Sequence, residues 1–260
     1  MRTVKPFVAT LTALLVPLLA AAEPIPITSD RAVGPLRSDP GDGLCVTLVH
    51  VKDPPAPPFT GPKALSDAID KINLPLGEGM IDSKQSKVFR YARFRNSDST
   101  SVGDFTKENA EAFPFESNFA ARVRGYVNVS PVDLIYSNAI YATAGARLRI
   151  GGNDIIQFDL NQTVRSVRQL RYSKRGLFPI EMVYYANGGI AVLEASAAPS
   201  AEAEGPVQYT WSIGPSPFSL SRTVGTGPAC ASPTPQPSST SSPSRRSSST
   251  PSWSAGTKRS

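Results

Sequence analysis

Residues that hold metal ions or attack substrates are scarce in this sequence. Among 260 residues there is one histidine, His50, and there are two cysteines, Cys45 and Cys230. This set does not supply the spaced cysteine and histidine ligands of a zinc or haem site. A catalytic histidine also needs a nucleophile or an orienting carboxylate, and no motif in the chain predicts either. We therefore expect no metal, no cofactor and no catalytic residue, and we predict that the protein is not an enzyme.

The middle of the chain also lacks an excess of charge of either sign. The net charge of +6 comes from Arg2 and Lys5 near the start and from four basic residues beyond Ala231, where no acidic residue occurs. The body between these two ends is neutral. A basic folded surface would point to nucleic acid, but here the excess lies outside the part expected to fold. We expect no nucleic-acid partner.

The longest apolar run is too short to span a membrane comfortably. Phe7 to Ala22 follows two basic residues and ends at three alanines, which is the pattern of a cleaved secretory signal. An uncleaved membrane anchor is the alternative. We expect residues 1–22 to be a signal peptide, the mature chain to have no transmembrane span, and the protein to be secreted, either extracellular or at the cell surface.

Two cysteines lie close to the two ends of the part of the chain that is expected to fold. In an oxidising compartment this arrangement predicts one disulfide between Cys45 and Cys230, which would join the first strand to the last. Such a bond would constrain the unfolded chain by about 4 kcal/mol on the chain-entropy model. Two free thiols are the alternative.

Alternating apolar and polar residues in the central block predict antiparallel strands. From Phe119 to Val129, alternate residues are apolar, and Arg122 and Arg124 lie on the opposite face. Residues 146–150 alternate in the same way, the pair Gly151-Gly152 supplies a tight turn, and a further strand follows from Asp154. Residues 178–184 and 190–194 form a second pair of strands around the turn Asn187-Gly188-Gly189. The pattern predicts an all-β fold, an antiparallel β-sandwich.

The flanking segments predict the organisation of the chain. Residues 23–43 are a Pro/Gly-rich lead-in, residues 44–230 are one sandwich domain, and residues 231–260 are a disordered Ser/Pro/Arg tail with too little apolar surface to fold. Within the domain, residues 44–51 and 88–94 are predicted strands and residues 64–72 a short helix or turn. Strands are also predicted at residues 134–142, 163–171 and 208–213.

The central block resembles a known family. The runs FAARVRGYV at residues 119–127, GARLRIGGNDII at residues 145–156 and GLFPIEMVYYANGGIAVL at residues 176–193 are similar to the protective-antigen domain family. Those β-sandwich modules occur in flocculins, fungal adhesins and β-glucosidase inserts. The resemblance implies a lectin-like sandwich whose loops bind carbohydrate. It covers about 75 residues well and about 185 loosely.

The resemblance also shows one departure. Lectin-type members of the family carry paired aspartates just before the position of Gly145, and these carboxylates hold a calcium ion that binds sugar hydroxyls. This chain has Thr143-Ala144 there, and an alanine side chain offers calcium no oxygen ligand. The acidic residue of the family's Asp-Gly hairpin is likewise replaced, by Gly151. We therefore expect no calcium-dependent sugar binding through this loop and no metal ligand.

Polar residues around the two turns are the candidate ligand contacts. We predict that Arg147, Arg149, Asn153 and Asp154 near the first turn, and Asn187 in the second, contact the ligand. With Arg122 and Arg124, Arg147 and Arg149 could also form a basic stripe suited to an anionic polysaccharide, although solvated strand faces commonly carry arginine and Glu181 or Glu194 could pair with these arginines. Asp154 and Asp159 could form a carboxylate pair, but turn residues are the simpler interpretation.

Together these features predict a secreted, non-catalytic recognition module. Its expected partner is a carbohydrate or glycoconjugate at the cell surface or in the matrix. A structural or adhesion protein that binds an extracellular protein is the alternative. A third possibility is an accessory domain of a glycoside hydrolase system.

Overall fold

The structure, a computed structural model, describes residues 23–35, 43–96, 111–130, 135–159, 162–199, 209–210 and 218–221. Cys230, the predicted signal peptide and the predicted tail lie outside these ranges. Within them the chain forms two sheets of mostly antiparallel strands, so the predicted all-β sandwich is confirmed.

One sheet is centred on a long strand and is called the β6 sheet. Its strands are β2 (Leu44–Val51), β3 (Ile81–Phe89), β6 (Phe119–Val129), β8 (Ala146–Ile150), β9 (Asn153–Phe158), β11 (Gly176–Ala186) and β14 (Phe218–Ser221). Hydrogen bonds join them in the order β3, β2, β6, β11, β8, β9, and β14 pairs with β6. All of these pairs are antiparallel.

The second sheet is called the β7 sheet. Its strands are β1 (Ile25–Ile27), β4 (Arg93–Arg95), β5 (Glu111–Ala112), β7 (Ile135–Ala142), β10 (Val164–Tyr172), β12 (Val192–Pro199) and β13 (Tyr209–Thr210). Their order is β1, β10, β7, β12, β4, β5, with β13 beside β12. The pairs β1–β10 and β4–β5 are parallel, and the other pairs are antiparallel.

Apolar side chains from both sheets fill the space between them. Alternation on β6 turns Phe119, Val123 and Val127 inward, where all three are fully buried. An aromatic cluster lies at the centre of this core, and the Phe113 ring stacks on Tyr184 with centroids 5.7 Å apart. Burial of these residues on both inner faces holds the sheets together.

The α-helix α1 (Ala64–Asn73) packs on the outer face of the β6 sheet, against β2, β6 and β11. Outward residues of β6 and β11 beneath it, Ala120, Val183 and Tyr185, are buried although they point away from the core between the sheets. The ammonium of Lys84 on β3 donates to the carbonyls of Ile72 and Leu74 at 2.9 and 2.7 Å. A positive charge at the carboxyl end of a helix is favourable, so β3 holds α1 in place.

Most predicted elements are found, with two corrections. The helix at residues 64–72 and the strands at 44–51, 134–142 and 163–171 are confirmed to within two residues. The single strand predicted at residues 88–94 is wrong, because β3 ends at Phe89 and β4 of the other sheet begins at Arg93. The predicted strand at 208–213 is described only at residues 209–210. The lead-in also contributes a strand, since Ile27 of β1 is fully buried beside β10.

Candidate recognition surfaces

Arginines on two strands flank one glutamate on the outer face of the β6 sheet. Glu181 lies on β11, between β6 and β8. One of its carboxylate oxygens accepts a hydrogen bond from Arg147 at 2.6 Å, and the other lies 3.7 Å from Nε of Arg122. Arg124 and Arg149 are directly opposite Glu181 in the strand register. We call Arg122, Arg124, Arg147, Arg149 and Glu181 the arginine face.

The arginine face lies on the outer surface of the β6 sheet, next to the end of α1. Arg122 donates to the side-chain oxygen of Asn73, at the end of α1, over 2.9 Å. The side chains of Arg122 and Arg147 are 14% and 15% exposed, whereas that of Arg149 is 39% exposed. Burial lowers the pKa of Arg122, Glu181 raises it, and the positive charges of Arg124 and Arg147 lower it again. The guanidinium groups are therefore close enough to repel one another.

Four of the predicted ligand contacts lie together at the β8–β9 hairpin. Gly151 and Gly152 form its turn with φ angles of +59° and +81°, which favour glycine. Nε of Arg149 lies 2.9 Å from a carboxylate oxygen of Asp154, and the guanidinium also donates to the carbonyl of Gly152 at 3.3 Å. Asn153 is opposite Ile150, and Arg147 lies two residues before Arg149 on the same face.

Asn187, the fifth predicted contact, lies elsewhere. Asn187 comes directly after the last residue of β11. The β8–β9 hairpin lies beside the first half of β11, because β8 runs antiparallel to β11. The side-chain amide of Asn187 donates to the carbonyl of Phe59 at 2.6 Å and accepts from the backbone N–H of Phe59 at 3.1 Å. The five residues therefore do not form one site, and the side chain of Asn187 holds the loop after β2.

The β7–β8 loop contains Thr143-Ala144, where the resemblance places paired aspartates. The hydroxyl of Thr143 accepts a hydrogen bond from the backbone N–H of Val192 at 2.9 Å and lies 3.0 Å from the phenolic oxygen of Tyr184. Ala144 is 3% exposed. The following Gly145 packs against Tyr185, whose ring would lie 2.2 Å from an added Cβ. The β7–β8 loop is thus held by hydrogen-bond contacts between Thr143 and the buried residues Val192 and Tyr184.

The remaining candidates for chemistry have structural partners. Asp159 accepts hydrogen bonds from the backbone N–H of Leu65, in the first turn of α1, and from the hydroxyl of Tyr185, at 3.1 and 2.8 Å. It does not form a pair with Asp154, which bonds to Arg149. Nδ1 of His50 lies 2.7 Å from a carboxylate oxygen of Asp82, and its ring stacks on Phe115.

Two features are absent from the part of the chain that the structure describes. Across the described ranges, no three residues of the types His, Cys, Asp and Glu are grouped so that they could hold a metal ion. Among the same residues, no helix has the length and apolar character that a membrane crossing requires.

Of the two acidic residues that the sequence offers as partners of these arginines, Glu181 pairs with Arg122 and Arg147, whereas Glu194 pairs with Arg93. Tyr126, beside the arginine face, was not predicted as a ligand contact. Tyr126 lies two residues after Arg124 on the same face of β6 and is half-buried. Its place beside the arginines depends on the register of the sheet.

Comparison with known proteins gives a likeness of fold. No family model and no curated protein matches the sequence. Among solved structures, the Epithelial Adhesin 6 A domain from Candida glabrata, in complex with Galb1-3GlcNAc, is 14% identical at a TM-score of 0.50, covering 73% of this chain and 91% of the adhesin domain. The PA14 domain of the MpAFP antifreeze protein is 14% identical, with a TM-score of 0.47 and coverage of 71% and 93%. The PA14 sugar-binding domain from an RTX adhesin is 13% identical, with a TM-score of 0.46 and coverage of 70% and 99%. The chain therefore shares its β-sandwich fold with the Epithelial Adhesin 6 A domain, in agreement with the fold that the resemblance of the central block implies.

Proposed function

We propose that the protein is a secreted, non-catalytic module that recognises carbohydrate without calcium. The adhesin A domain with which it shares its fold is in complex with a disaccharide, Galb1-3GlcNAc. A sandwich of this type exposes loops and sheet faces on a rigid scaffold, which is suited to binding. The fold and the recognition module predicted from the sequence both support this function.

The observation that carries the calcium-independent part is the bonding of Thr143. Calcium requires six to eight oxygen ligands, usually including carboxylates. The hydroxyl of Thr143 is hydrogen-bonded to Val192 and lies within hydrogen-bond distance of Tyr184, and Ala144 is buried. A calcium ion bound at this position would have to break these contacts and would gain no carboxylate there. Ligand recognition by this chain therefore depends on direct contacts with its side chains and not on a bound calcium ion.

A disulfide between Cys45 and Cys230 is part of the proposal and agrees with secretion. No free cysteine occurs among the described residues. Strand β11 occupies one edge of β6 along its whole length, so β2 and β14 share the other edge. Both run antiparallel to β6, and Ser221 at the end of β14 pairs two positions from the partner of Cys45. The end of β14 therefore lies near Cys45 in the sheet. Cys230 follows nine residues later in the sequence.

A glycan array tests the proposed function. The full chain, secreted from cells and purified, is applied to neutral and acidic glycans in calcium buffer and in EDTA. We expect the same set of glycans to be retained in both buffers. Retention that disappears in EDTA would contradict the calcium-independent part. Absence of any retained glycan, with an extracellular protein captured instead, would favour the alternative of a protein-binding adhesion module.

A further inference from the structure

The arginine face has more positive than negative charge around its centre. Arg122, Arg124 and Arg147 surround Glu181, and the pKa of Arg122 is lowered first by burial and also by its two basic neighbours, while the Glu181 carboxylate raises it. The neighbouring pair Arg149–Asp154 is more exposed, at 39% and 55% of the two side chains. The body of the chain is neutral, so this local excess is not a consequence of overall charge.

The strand register spaces these charges regularly. β6 and β8 lie on the two sides of β11, so Arg122 and Arg147 start from backbones about 10 Å apart, and alternate residues along a strand are about 7 Å apart. Glu181 holds two of the guanidinium groups in fixed orientations. A guanidinium has five donors and forms paired hydrogen bonds with a planar carboxylate or a sulfate. Such an array suits a ligand with several acidic groups better than a single small anion.

An aromatic side chain extends the arginine face along β6. Tyr126 is half-buried, lies two residues after Arg124 on the outer face, and is opposite Pro179 of β11 in the register. A tyrosine ring at the edge of a polar surface offers an apolar plane with a polar tip, on which a sugar ring can stack. The combination favours a saccharide over a bare anion. The neutral body argues against nucleic acid, which depends on an extended basic surface.

We propose that the arginine face and Tyr126 bind an acidic saccharide, one that carries uronate carboxylates or sulfate groups. This assignment names the ligand class for the proposed carbohydrate recognition and rests on that function. The ligand lies along the outer surface of the β6 sheet beside α1, with its acidic groups on Arg124 and Arg149 and a sugar ring on Tyr126. Neutral sugars bind this surface weakly because they cannot pair with guanidinium groups.

The test compares two double substitutions with the same change of charge. In Arg124→Gln/Arg149→Gln the arginine face loses two positive charges. In the matched control Arg165→Gln/Arg171→Gln, two exposed arginines on β10 of the other sheet are replaced. Full-length proteins are titrated with heparin, polygalacturonate and neutral dextran at low and high salt. We expect roughly a tenfold loss of affinity for the two acidic polymers in the first variant, as for loss of a charge-assisted hydrogen bond, and no change in the control.

A further variant shows that the effect is local. Arg124→Lys/Arg149→Lys keeps the charge but loses the paired geometry, so it separates recognition from simple attraction, and thermal melts show whether each variant is folded. Equal losses of affinity for the acidic polymers in Arg124→Gln/Arg149→Gln and in Arg165→Gln/Arg171→Gln would overturn the proposal.

Other results separate this inference from the proposed function. Binding of neutral glycans that the arginine variants leave unchanged, with no preference for acidic polymers, would overturn the acidic-saccharide assignment and leave carbohydrate recognition standing. Retention of no saccharide of any kind would overturn both. Binding of a DNA duplex as tightly as heparin, with the same loss in the first variant, would show that the surface recognises phosphate backbones instead.

Discussion

The hydroxyl of Thr143 lies 3.0 Å from the phenolic oxygen of Tyr184, which is fully buried beneath the β7–β8 loop. The same hydroxyl accepts the backbone N–H of Val192 at the start of β12. The loop that the family resemblance associates with calcium therefore ties two strands of the sandwich together.

Replacing Thr143 with valine is expected to destabilise the fold. Thr143→Val keeps the shape of the side chain but leaves the N–H of Val192 and the hydroxyl of Tyr184 without this partner, at a cost of about 1–3 kcal/mol. Denaturant unfolding measures the change. Thr60→Val is the control, because Thr60 is exposed and its side chain does not cap the following turn. Equal stability of the two variants would contradict the role given to Thr143.

Asn187 is expected to matter for stability more than for ligand binding. Asn187→Ala removes two hydrogen bonds to the backbone of Phe59 and should cost about 1–3 kcal/mol. Asn153→Ala, at the half-buried start of β9, is the matched comparison and should cost much less. Unfolding curves and glycan affinity are measured for both. A stable Asn187→Ala protein with lost affinity would show that Asn187 contacts the ligand after all.

Buried tyrosines predict a loss of stability at high pH. Burial raises the pKa of Tyr172, Tyr184 and Tyr185 above the ordinary value of about 10. Above that pH the unfolded chain releases these protons and the folded chain keeps them, so the unfolded state binds fewer protons and stability falls as pH rises. The stability that these three tyrosines contribute is fully present below about pH 10 and is lost as the pH rises further.

Absorbance of the phenolate measures this titration alongside circular dichroism. Some of the eight tyrosines should titrate while the fold is intact, and these three should ionise only as it unfolds. Ionisation of all eight near pH 10, with the circular dichroism unchanged, would contradict their burial.

The proposed disulfide predicts sensitivity to reduction. Breaking the bond between Cys45 and Cys230 should lower the free energy of unfolding by about 4 kcal/mol on the chain-entropy model. Melting curves with and without reductant measure the effect, and Cys45→Ser/Cys230→Ser should melt like the reduced protein and not respond to reductant. Alkylation of both thiols in the native, unreduced protein would show that the bond is absent.

The strands that could be predicted are those buried on one face. On β6 and β11 the apolar residues alternate with Arg122, Arg124 and Glu181, so period and face are readable from sequence. β3 was missed because it lies at the edge of its sheet, where Ser83, Lys84 and Lys87 replace apolar residues. β1 has three residues, and it is a strand only because it pairs with β10 some 145 positions away.

The candidate site was predictable in part for a related reason. Arg147, Arg149, Asn153 and Asp154 belong to one hairpin, so local spacing brings them together. Asn187 looked like a ligand contact because it is a polar turn residue, and its bonds to Phe59 are made across 128 positions. The partnership of Glu181 with Arg147 likewise depends on which strands are neighbours, which periodicity does not determine.

Calcium dependence of glycan binding tests the central claim most directly. The glycan retained most strongly by the full chain is titrated against the protein by calorimetry, once in EDTA and once with excess calcium. The account predicts that the two dissociation constants agree, because Thr143 and Ala144 provide no carboxylate for an ion. A dissociation constant about tenfold or more weaker in EDTA, which corresponds to about 1.4 kcal/mol of binding free energy, would contradict it.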